Sequence, residues 1–320
     1  MRPELEAVAQ EIEKVISGKR EAIEKILMAL LAGGHVLLDD VPGVGKTTLA
    51  VALGRAVGLD YRRIQFTPDV LPSDIVGFSM SDKARGEFAY RPGMLHGANL
   101  VLGDEINRAS SKTQSALLEA MEEGQVTVDG QTHPLAEPFL GIATQNSVGA
   151  AGTQYLPYAQ IDRFLVRMSL GYPDYAAQMA MLRARQNAEP MGQVACVLSR
   201  KALCAMQREA RAVQAREAIL DYIVRLAMAS RGHAALRVGI SPRGTLFLDR
   251  AAKARACLEG RDYVTGGDVQ AVFCDVCAHR VLLTEEAQAA GITADQVLKE
   301  LLKTVESPDR HSRFGGLLKK

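Results

Sequence analysis

Apolar residues follow helical spacing at the start of the chain and form short continuous runs further along. They recur every three or four positions over residues 5–16, which predicts a first helix. Residues 17–18, Ser-Gly, interrupt the pattern, and a second helix is predicted over residues 23–30. The glycine pair at residues 33–34 ends that helix and introduces the first strand.

Four short segments have the length of strands rather than helical spacing, and all but the second are mainly apolar, as buried strands are. They span residues 36–38, 61–66, 99–103 and 139–144. A helical pattern from Thr47 to Gly58 separates the first two, and a helix opened by Ser110 or Ser111 and ended by Gly124 follows the third. Because strands that alternate with helices form parallel sheets, this part of the chain is predicted to have an α/β fold.

Two stretches between the predicted strands have the composition of insertions and hairpins. Residues 67–97 are rich in Pro, Gly, Ser and Asp, and a hairpin is predicted around Arg85 and Gly86. An alternating stretch with the two-residue turn Asp129-Gly130 predicts a second, projecting hairpin within about residues 124–139. Long ordered insertions tend to carry function.

Strand signals end near residue 173, and helical periodicity dominates the rest of the chain. Helices are predicted over residues 198–213, 218–229, 241–258, 265–283 and 293–305. The change of pattern predicts a domain boundary, with an α/β domain over residues 1–175 and a helical domain over residues 176–320.

The composition is that of an ordinary globular protein without a strong charge bias. The 320 residues are 48% hydrophobic and 23% charged, and the net charge is +1. No overall basic field therefore favours nucleic acid or an anionic membrane. Apolar stretches such as residues 26–31 are shorter than a membrane span, so the protein is predicted to be cytoplasmic, without a membrane span. Five cysteines, an odd number, predict free thiols rather than a disulfide framework.

The first predicted strand runs into a glycine-rich loop of the kind that binds phosphate. The backbone N–H groups of such a loop and of the following helix N-terminus bind anionic oxygens. Lys46 is predicted to reach the outer phosphates, and the Thr47 hydroxyl is predicted to ligate Mg²⁺. The usual loop pattern has glycine at position 40, where this chain has Asp40. The predicted nucleotide-binding residues of the loop are Pro42, Gly43, Val44, Gly45, Lys46, Thr47 and Thr48.

Two carboxylates end the third predicted strand, and an amide follows the fourth. Asp104 is predicted to bind the nucleotide's Mg²⁺, while Glu105 orients and deprotonates the attacking water. Asn146 can hydrogen-bond the γ-phosphate or that water. Because parallel strands place such groups at one edge of the sheet, these residues and the glycine loop together predict an ATP-hydrolysis site.

With these motifs in place, the chain resembles the MoxR family of AAA+ ATPases, whose phosphate loop also tolerates an acidic residue at position 40. The segments that carry the resemblance are residues 39–47, 104–110, 114–123 and 143–146. The resemblance runs from about Gly18 to Leu283 and covers most of the chain. It implies a three-layer αβα sandwich with a parallel sheet, followed by an all-helical lid domain, and a Mg²⁺-dependent ATPase.

Two arginines receive roles from this resemblance. Arg163, within residues 159–164, looks like the arginine finger that reaches the γ-phosphate of a neighbouring subunit. Arg243, within residues 239–244, resembles the second sensor motif of the lid, which contacts nucleotide in cis or in trans. Because a finger acts on a neighbour, the resemblance implies a ring-shaped homo-oligomer, a hexamer, with ATP at each subunit interface.

The leading hypothesis is an ATP-driven, chaperone-type remodeller that matures protein complexes. The insertion and the second hairpin would act on a protein client, and the resemblance implies a separate von Willebrand factor A-domain protein as a partner. The alternatives are a nucleic-acid motor, a magnesium-chelatase-like ATPase subunit and a nucleotide switch that does not hydrolyse ATP. The near-neutral charge and the absence of Trp argue against nucleic acid as a partner. The intact motif residues argue against a silent switch.

Overall fold

Contacts along the chain divide the protein into two compact units. The computed structural model describes residues 1–82, 87–146, 156–186 and 189–309. The first unit, which contains four of the five strands of the central sheet, comprises Pro3–Phe164 and Met168–Cys204. The second comprises Met1–Arg2, Leu165–Arg167 and the described chain from Ala205 to residue 309. This division groups residues 176–204 with the sheet, whereas the sequence suggests a boundary after residue 175. That boundary stays a prediction.

Helices and strands alternate as far as residue 168, and helices predominate afterwards. The helices are α1 (Pro3–Glu13), α2 (Arg20–Leu31), α3 (Lys46–Ala56), α4 (Pro72–Val76), α5 (Ser111–Glu123), α6 (Tyr158–Ile161), α7 (Tyr175–Ala184), α8 (Arg200–Ala212), α9 (Glu217–Arg231), α10 (Pro242–Leu258), α11 (Gly266–Cys277), α12 (Glu285–Ala289) and α13 (Ala294–Thr304). The strands are β1 (Val36–Asp39), β2 (Tyr61–Gln65), β3 (Gly77–Asp82), β4 (Glu87–Pro92), β5 (Leu100–Asp104), β6 (Gln125–Val128), β7 (Gln131–Pro134), β8 (Leu140–Gln145), β9 (Val166–Met168), β10 (Leu236–Val238) and β11 (Leu282–Leu283).

The central sheet has five strands in the order β2-β5-β8-β1-β9. The pairs β2–β5, β5–β8 and β1–β8 are parallel, and Asp39 lies opposite Gln145 at the ends of β1 and β8. Strands β1, β5 and β8 therefore end at one edge of the sheet, where open α/β folds bind ligands. The predicted α/β fold with a parallel sheet is confirmed.

The apolar core of this unit packs α5 against the sheet. Leu117 and Met121 of the helix belong to one buried cluster with Val101 of β5. Gly141 of β8 allows a close approach, since a Cβ there would lie 2.6 Å from Met121 Cε. The buried His35 ring accepts at Nδ1 from the Gly141 N–H (3.0 Å) and donates from Nε2 to the Met121 carbonyl (2.6 Å). These contacts fix the helix over the strands that carry the site.

Two antiparallel hairpins, β3–β4 and β6–β7, lie within the stretches 67–97 and 124–139. Asp129 and Gly130 have φ values of 49° and 78°, the left-handed conformation that a two-residue hairpin turn requires. The other predicted turn, at Arg85 and Gly86, lies outside the described residues. The Tyr90 ring stacks on the His133 ring with centroids 3.8 Å apart, so the two hairpins form a joined hairpin pair.

The second unit is mainly helical. Ser241 caps α10, because its Oγ accepts from the Gly244 N–H at 3.0 Å, and Thr265 and Asp268 form a capping box on α11. The helix predicted through residue 283 ends at Cys277 instead, and β10 pairs with β11 in a short antiparallel pair. Strands of two or three residues are too short for their periodicity to be recognised. Within the described ranges, no helix combines the length and apolarity needed to cross a bilayer.

Candidate functional site

A cavity of about 310 Å³ opens beside the phosphate loop, at the edge of the sheet where β5 and β8 end. It is lined by Pro42, Gly43, Gly45, Lys46, Thr47, Thr48, Asp104, Glu105 and Asn146. All of these residues were singled out from the sequence, and the structure brings them together. Val44, which was also predicted, is buried and does not line the cavity.

Two glycines give the loop its shape. Gly43 and Gly45 have φ values of 84° and 96°, which strain any residue that carries a Cβ. No atom lies within 4 Å of the place where a Cβ of Gly43 would be, so the loop borders open space. Helix α3 begins directly after Gly45, and its first N–H groups have no partner within the helix. The loop therefore presents the backbone donors that a phosphate group requires.

Asp40, the residue at the position of the first loop glycine, has a structural role. Its Oδ2 accepts from Ser169 Oγ at 2.9 Å and from the N–H groups of Leu170 and Gly171 at 2.6 and 2.8 Å. Its Oδ1 accepts from the Val41 N–H at 2.9 Å. Burial raises the pKa of this carboxyl, but the hydrogen bonds outweigh burial and hold the pKa below its ordinary value. The carboxylate thus joins the loop to the segment that follows β9.

Lys46, Asn146 and Glu105 form a chain of hydrogen bonds across the cavity. Lys46 Nζ donates to Asn146 Oδ1 at 2.8 Å, and Asn146 Nδ2 donates to Glu105 Oε1 at 2.6 Å. Since an ammonium cannot accept and a carboxylate cannot donate, only this orientation of the amide satisfies both neighbours. Asn146 therefore holds the Glu105 carboxylate in a fixed position relative to Lys46.

The Lys46 ammonium is buried and also donates to the carbonyl of Asp40 at 3.0 Å. Burial lowers its pKa below the ordinary lysine value, while the carboxylates of Asp40, Asp104, Asp39 and Glu105 act in the opposite direction. Such a poorly hydrated cation among fixed carboxylates is suited to bind an anionic ligand that enters the cavity.

The two adjacent carboxylates are fixed by a hydroxyl on the neighbouring strand. Thr144 of β8, which is fully buried, donates from Oγ1 to Asp104 Oδ1 at 2.7 Å and accepts from the Glu105 N–H at 2.8 Å. Glu105 has φ 57° and ψ 50°, an uncommon left-handed conformation for a residue with a side chain. No role was predicted for Thr144 from the sequence. A hydroxyl within an otherwise apolar buried strand was the available signal.

Three further polar residues hold the same carboxylates, and none of the three was predicted to do so. Arg63 of β2 donates to Asp104 Oδ2 from Nη2 at 2.7 Å and from Nε at 3.2 Å. Glu105 Oε2 accepts from Gln65 Nε2 at 3.2 Å and from Arg108 Nη1 at 2.8 Å. The contacts of β2 follow from its place beside β5, which hydrophobic patterning does not specify.

Neither of the two arginines that the family resemblance singled out is among the residues that line the cavity. Arg163 follows α6, is not among the residues that line the cavity, and pairs with Glu122 of α5 at 3.1 Å. Arg243 lies in the first turn of α10, within the mainly helical unit. The proposed role of each arginine stays a prediction.

Comparisons with known proteins agree with this architecture. Residues 35–166 match the ATPase family associated with various cellular activities (AAA), and residues 228–301 match the AAA lid domain. The uncharacterised Bacillus subtilis protein YeaC is 46% identical, over 98% of this chain and 97% of its own. Chaperone MoxR1 of Mycobacterium tuberculosis is 40% identical, over 95% of this chain and 82% of its own. A crystal structure of a Cytophaga hutchinsonii protein, proposed to be an ATPase, has a TM-score of 0.86 and 37% identity, over 95% of this chain and 94% of its own.

Proposed function

The chain belongs to the MoxR family of AAA+ ATPases, and from this membership we propose that it hydrolyses ATP with Mg²⁺ in a ring of identical subunits and uses the energy to remodel protein complexes. The observation that carries the proposal is the cavity in which the phosphate loop, Lys46, both carboxylates and Asn146 meet. Each of these groups has a task in phosphoryl transfer to water.

The residues of the cavity fit ATP and Mg²⁺. The loop N–H groups and Lys46 provide donors and a cation for phosphate oxygens, and Thr47 and Asp104 provide the oxygen ligands that Mg²⁺ prefers. When bound, Mg²⁺ screens the negative charge of the phosphate oxygens.

Within the proposed reaction, Glu105 accepts a proton from the attacking water, which displaces ADP from the γ-phosphate. Asn146 orients the Glu105 carboxylate, because their hydrogen bond is only 2.6 Å long. The strained Glu105 backbone and its bond to Thr144 direct the side chain toward the cavity.

The proposal of a ring of subunits depends on the role of Arg163 as an arginine finger. The family resemblance assigns Arg163 to the site of a neighbouring subunit, and this residue does not line the cavity of its own chain. An arginine supplied in trans contributes about 10³ to 10⁵ in rate in other nucleotide hydrolases. A ring, with a hexamer as the expected size, makes turnover dependent on assembly. Its cytoplasmic location and a von Willebrand factor A-domain partner remain predictions.

The remodelling role is supported by the relative named Chaperone MoxR1 and by the exposed apolar side chains of the hairpin pair. A nucleic-acid motor or a magnesium-chelatase-like subunit is less consistent with the comparisons. The net charge of +1 also argues against a motor that tracks a polyanion.

Subunit mixing tests the shared site. Glu105→Gln and Arg163→Ala chains are each expected to lose most ATP turnover while still assembling. In a mixture, some interfaces combine an intact Glu105 with an intact Arg163 from the neighbour, and activity should rise well above the sum of the separate variants.

A matched control distinguishes loss of the Arg163 guanidinium from loss of its ion pair with Glu122. Glu122→Ala removes the partner of Arg163 but leaves the guanidinium, so it should retain near-normal turnover. If mixing restores nothing, or if wild-type turnover per chain is independent of protein concentration, the shared site is wrong.

A further inference from the structure

We propose that Arg63 is a positioning residue that binds the metal ligand Asp104 and competes with the divalent cation for that carboxylate. This inference rests on the proposed function, in which Asp104 binds Mg²⁺. Arg63 belongs to β2, outside the phosphate loop and the acidic pair. According to the proposal, it lowers the affinity of the site for Mg²⁺.

The geometry that carries the proposal is the contact of the Arg63 guanidinium with one oxygen of the Asp104 carboxylate. Two donors of Arg63, at 2.7 and 3.2 Å, point at the same oxygen, Oδ2. The other oxygen, Oδ1, accepts from Thr144 at 2.7 Å. A carboxylate oxygen has two lone pairs. A metal ion or a metal-bound water would therefore have to compete with these two Arg63 donors for Oδ2.

Sheet order makes this contact possible. Strand β2 pairs in parallel with β5, with Gln65 opposite Asp104 and Arg63 opposite Leu102. Residues two apart on a strand share a face, so Arg63 and Gln65 both reach toward the acidic end of β5. Arg62 points to the other face and donates to the Met94 carbonyl at 3.2 Å.

Charge also favours exchange rather than joint occupancy. A guanidinium and a divalent cation on the same oxygen would repel each other at short range. The Arg63 side chain is 47% exposed, whereas that of Asp104 is 13% exposed, so Arg63 can turn into solvent more easily than Asp104 can move. Gln65 Oε1, 2.6 Å from Arg63 Nη2, provides an alternative partner for the released guanidinium.

The expected effect on Mg²⁺ affinity is modest, because the Arg63 side chain is about half exposed and ion pairs in contact with solvent are weak. Loss of Arg63 should lower the Mg²⁺ concentration for half-maximal nucleotide binding about two- to fivefold. Arg63→Lys keeps a charge but loses the paired donors, and it should give an intermediate value.

The Mg²⁺ midpoint is measured by the binding of a fluorescent ADP analogue, titrated with Mg²⁺ at constant ionic strength. This measurement does not depend on turnover. Wild type, Arg63→Gln, Arg63→Lys and Arg62→Gln are compared, and the last is the matched control, because it removes the same charge from the other face of the same strand. A lower Mg²⁺ midpoint in Arg63→Gln, with Arg62→Gln close to wild type, supports the proposal.

Two results would overturn it. Equal midpoints in Arg63→Gln and wild type would show that Arg63 does not compete with the metal. A loss of affinity of more than about tenfold for Arg63→Gln in EDTA would assign Arg63 to the nucleotide itself. If wild-type binding did not respond to Mg²⁺ at all, the proposed function would fail first, and the competition with it.

Discussion

The phosphate cavity and the hairpin pair belong to the same compact unit but are built from opposite kinds of side chain. In the cavity, Lys46 and Asp104 are buried, and Asn146 is hydrogen-bonded to both Lys46 and Glu105. The hairpin pair exposes large apolar side chains, which are Phe78 (48%), Met80 (46%) and Phe88 (80%). One region fixes a few charges in defined positions, and the other presents contact area.

This difference indicates how sensitive each of the two regions is to the substitution of single residues. A cavity that performs chemistry fails when one polar atom is lost, because the remaining buried partners are left unsatisfied. An exposed apolar surface loses contact area gradually, and its own stability barely changes. Substitutions in the two regions should therefore have effects of very different size.

The largest effect is expected in the cavity, from Glu105→Gln. Loss of the proposed base should reduce ATP turnover by about 10² to 10⁴, while nucleotide affinity stays near the wild-type value. Steady-state phosphate release and equilibrium binding of a fluorescent nucleotide measure the two properties. The exposed Glu119→Gln on α5 is the control and should retain full activity. Wild-type turnover in Glu105→Gln would remove Glu105 from the mechanism.

The next effect is expected from Asp40→Asn, which should lower the free energy of unfolding by about 1 to 3 kcal/mol at pH 7. A depressed carboxyl pKa stabilises the folded state above the unfolded value and loses that contribution as pH falls through the folded value. The gap between wild type and variant should therefore stay constant down to about pH 4 and shrink below it. Urea unfolding across pH tests this, with Asp69→Asn as an exposed control. A gap that widens in acid would contradict the assigned hydrogen bonds.

A smaller effect is expected where the hairpins join. Tyr90→Leu removes the ring stacked on His133 and the hydroxyl that donates to the Val76 carbonyl at 2.7 Å. The stack should account for about 0.5 to 1.5 kcal/mol of stability. Tyr90→Phe keeps the ring and isolates the hydroxyl. If thermal unfolding shows both variants equally destabilised, the stack contributes nothing and the hairpins are independent.

The smallest effect on stability and turnover is expected from the double change Phe78→Ser and Phe88→Ser. Because both rings are exposed, unfolding free energy should change by less than about 0.5 kcal/mol. Basal turnover should stay within about twofold of wild type, while binding of a client that contacts this surface should weaken. A loss of stability above about 2 kcal/mol would mean that the rings pack within the fold, and the contrast between the two regions would no longer hold.

Sequence patterns were sufficient for the parts of the molecule that local chemistry specifies. Continuous apolar runs located β1, β5 and β8, and Gly43, Gly45 and Lys46 located the loop, because backbone conformation and phosphate binding restrict these residue types. Ser110 or Ser111 was expected to cap a helix, and the Ser110 Oγ accepts from the Thr113 N–H.

The contacts that the sequence did not reveal depend on residues distant in the chain. Arg63 meets Asp104 only because β2 lies next to β5, and Asp40 meets Ser169 only because the segment after β9 returns to the loop. The β10–β11 pair was missed for a different reason, since strands this short have no period to recognise.

The ring stack between Tyr90 and His133 has a mechanical consequence. Two hairpins without contact would bend independently, whereas hairpins joined by stacked rings bend together. The Tyr90 hydroxyl also connects the hairpin pair to α4, because it donates to the carbonyl of Val76, the last residue of that helix. A force applied at Phe78 of β3 would therefore act on both hairpins rather than on one.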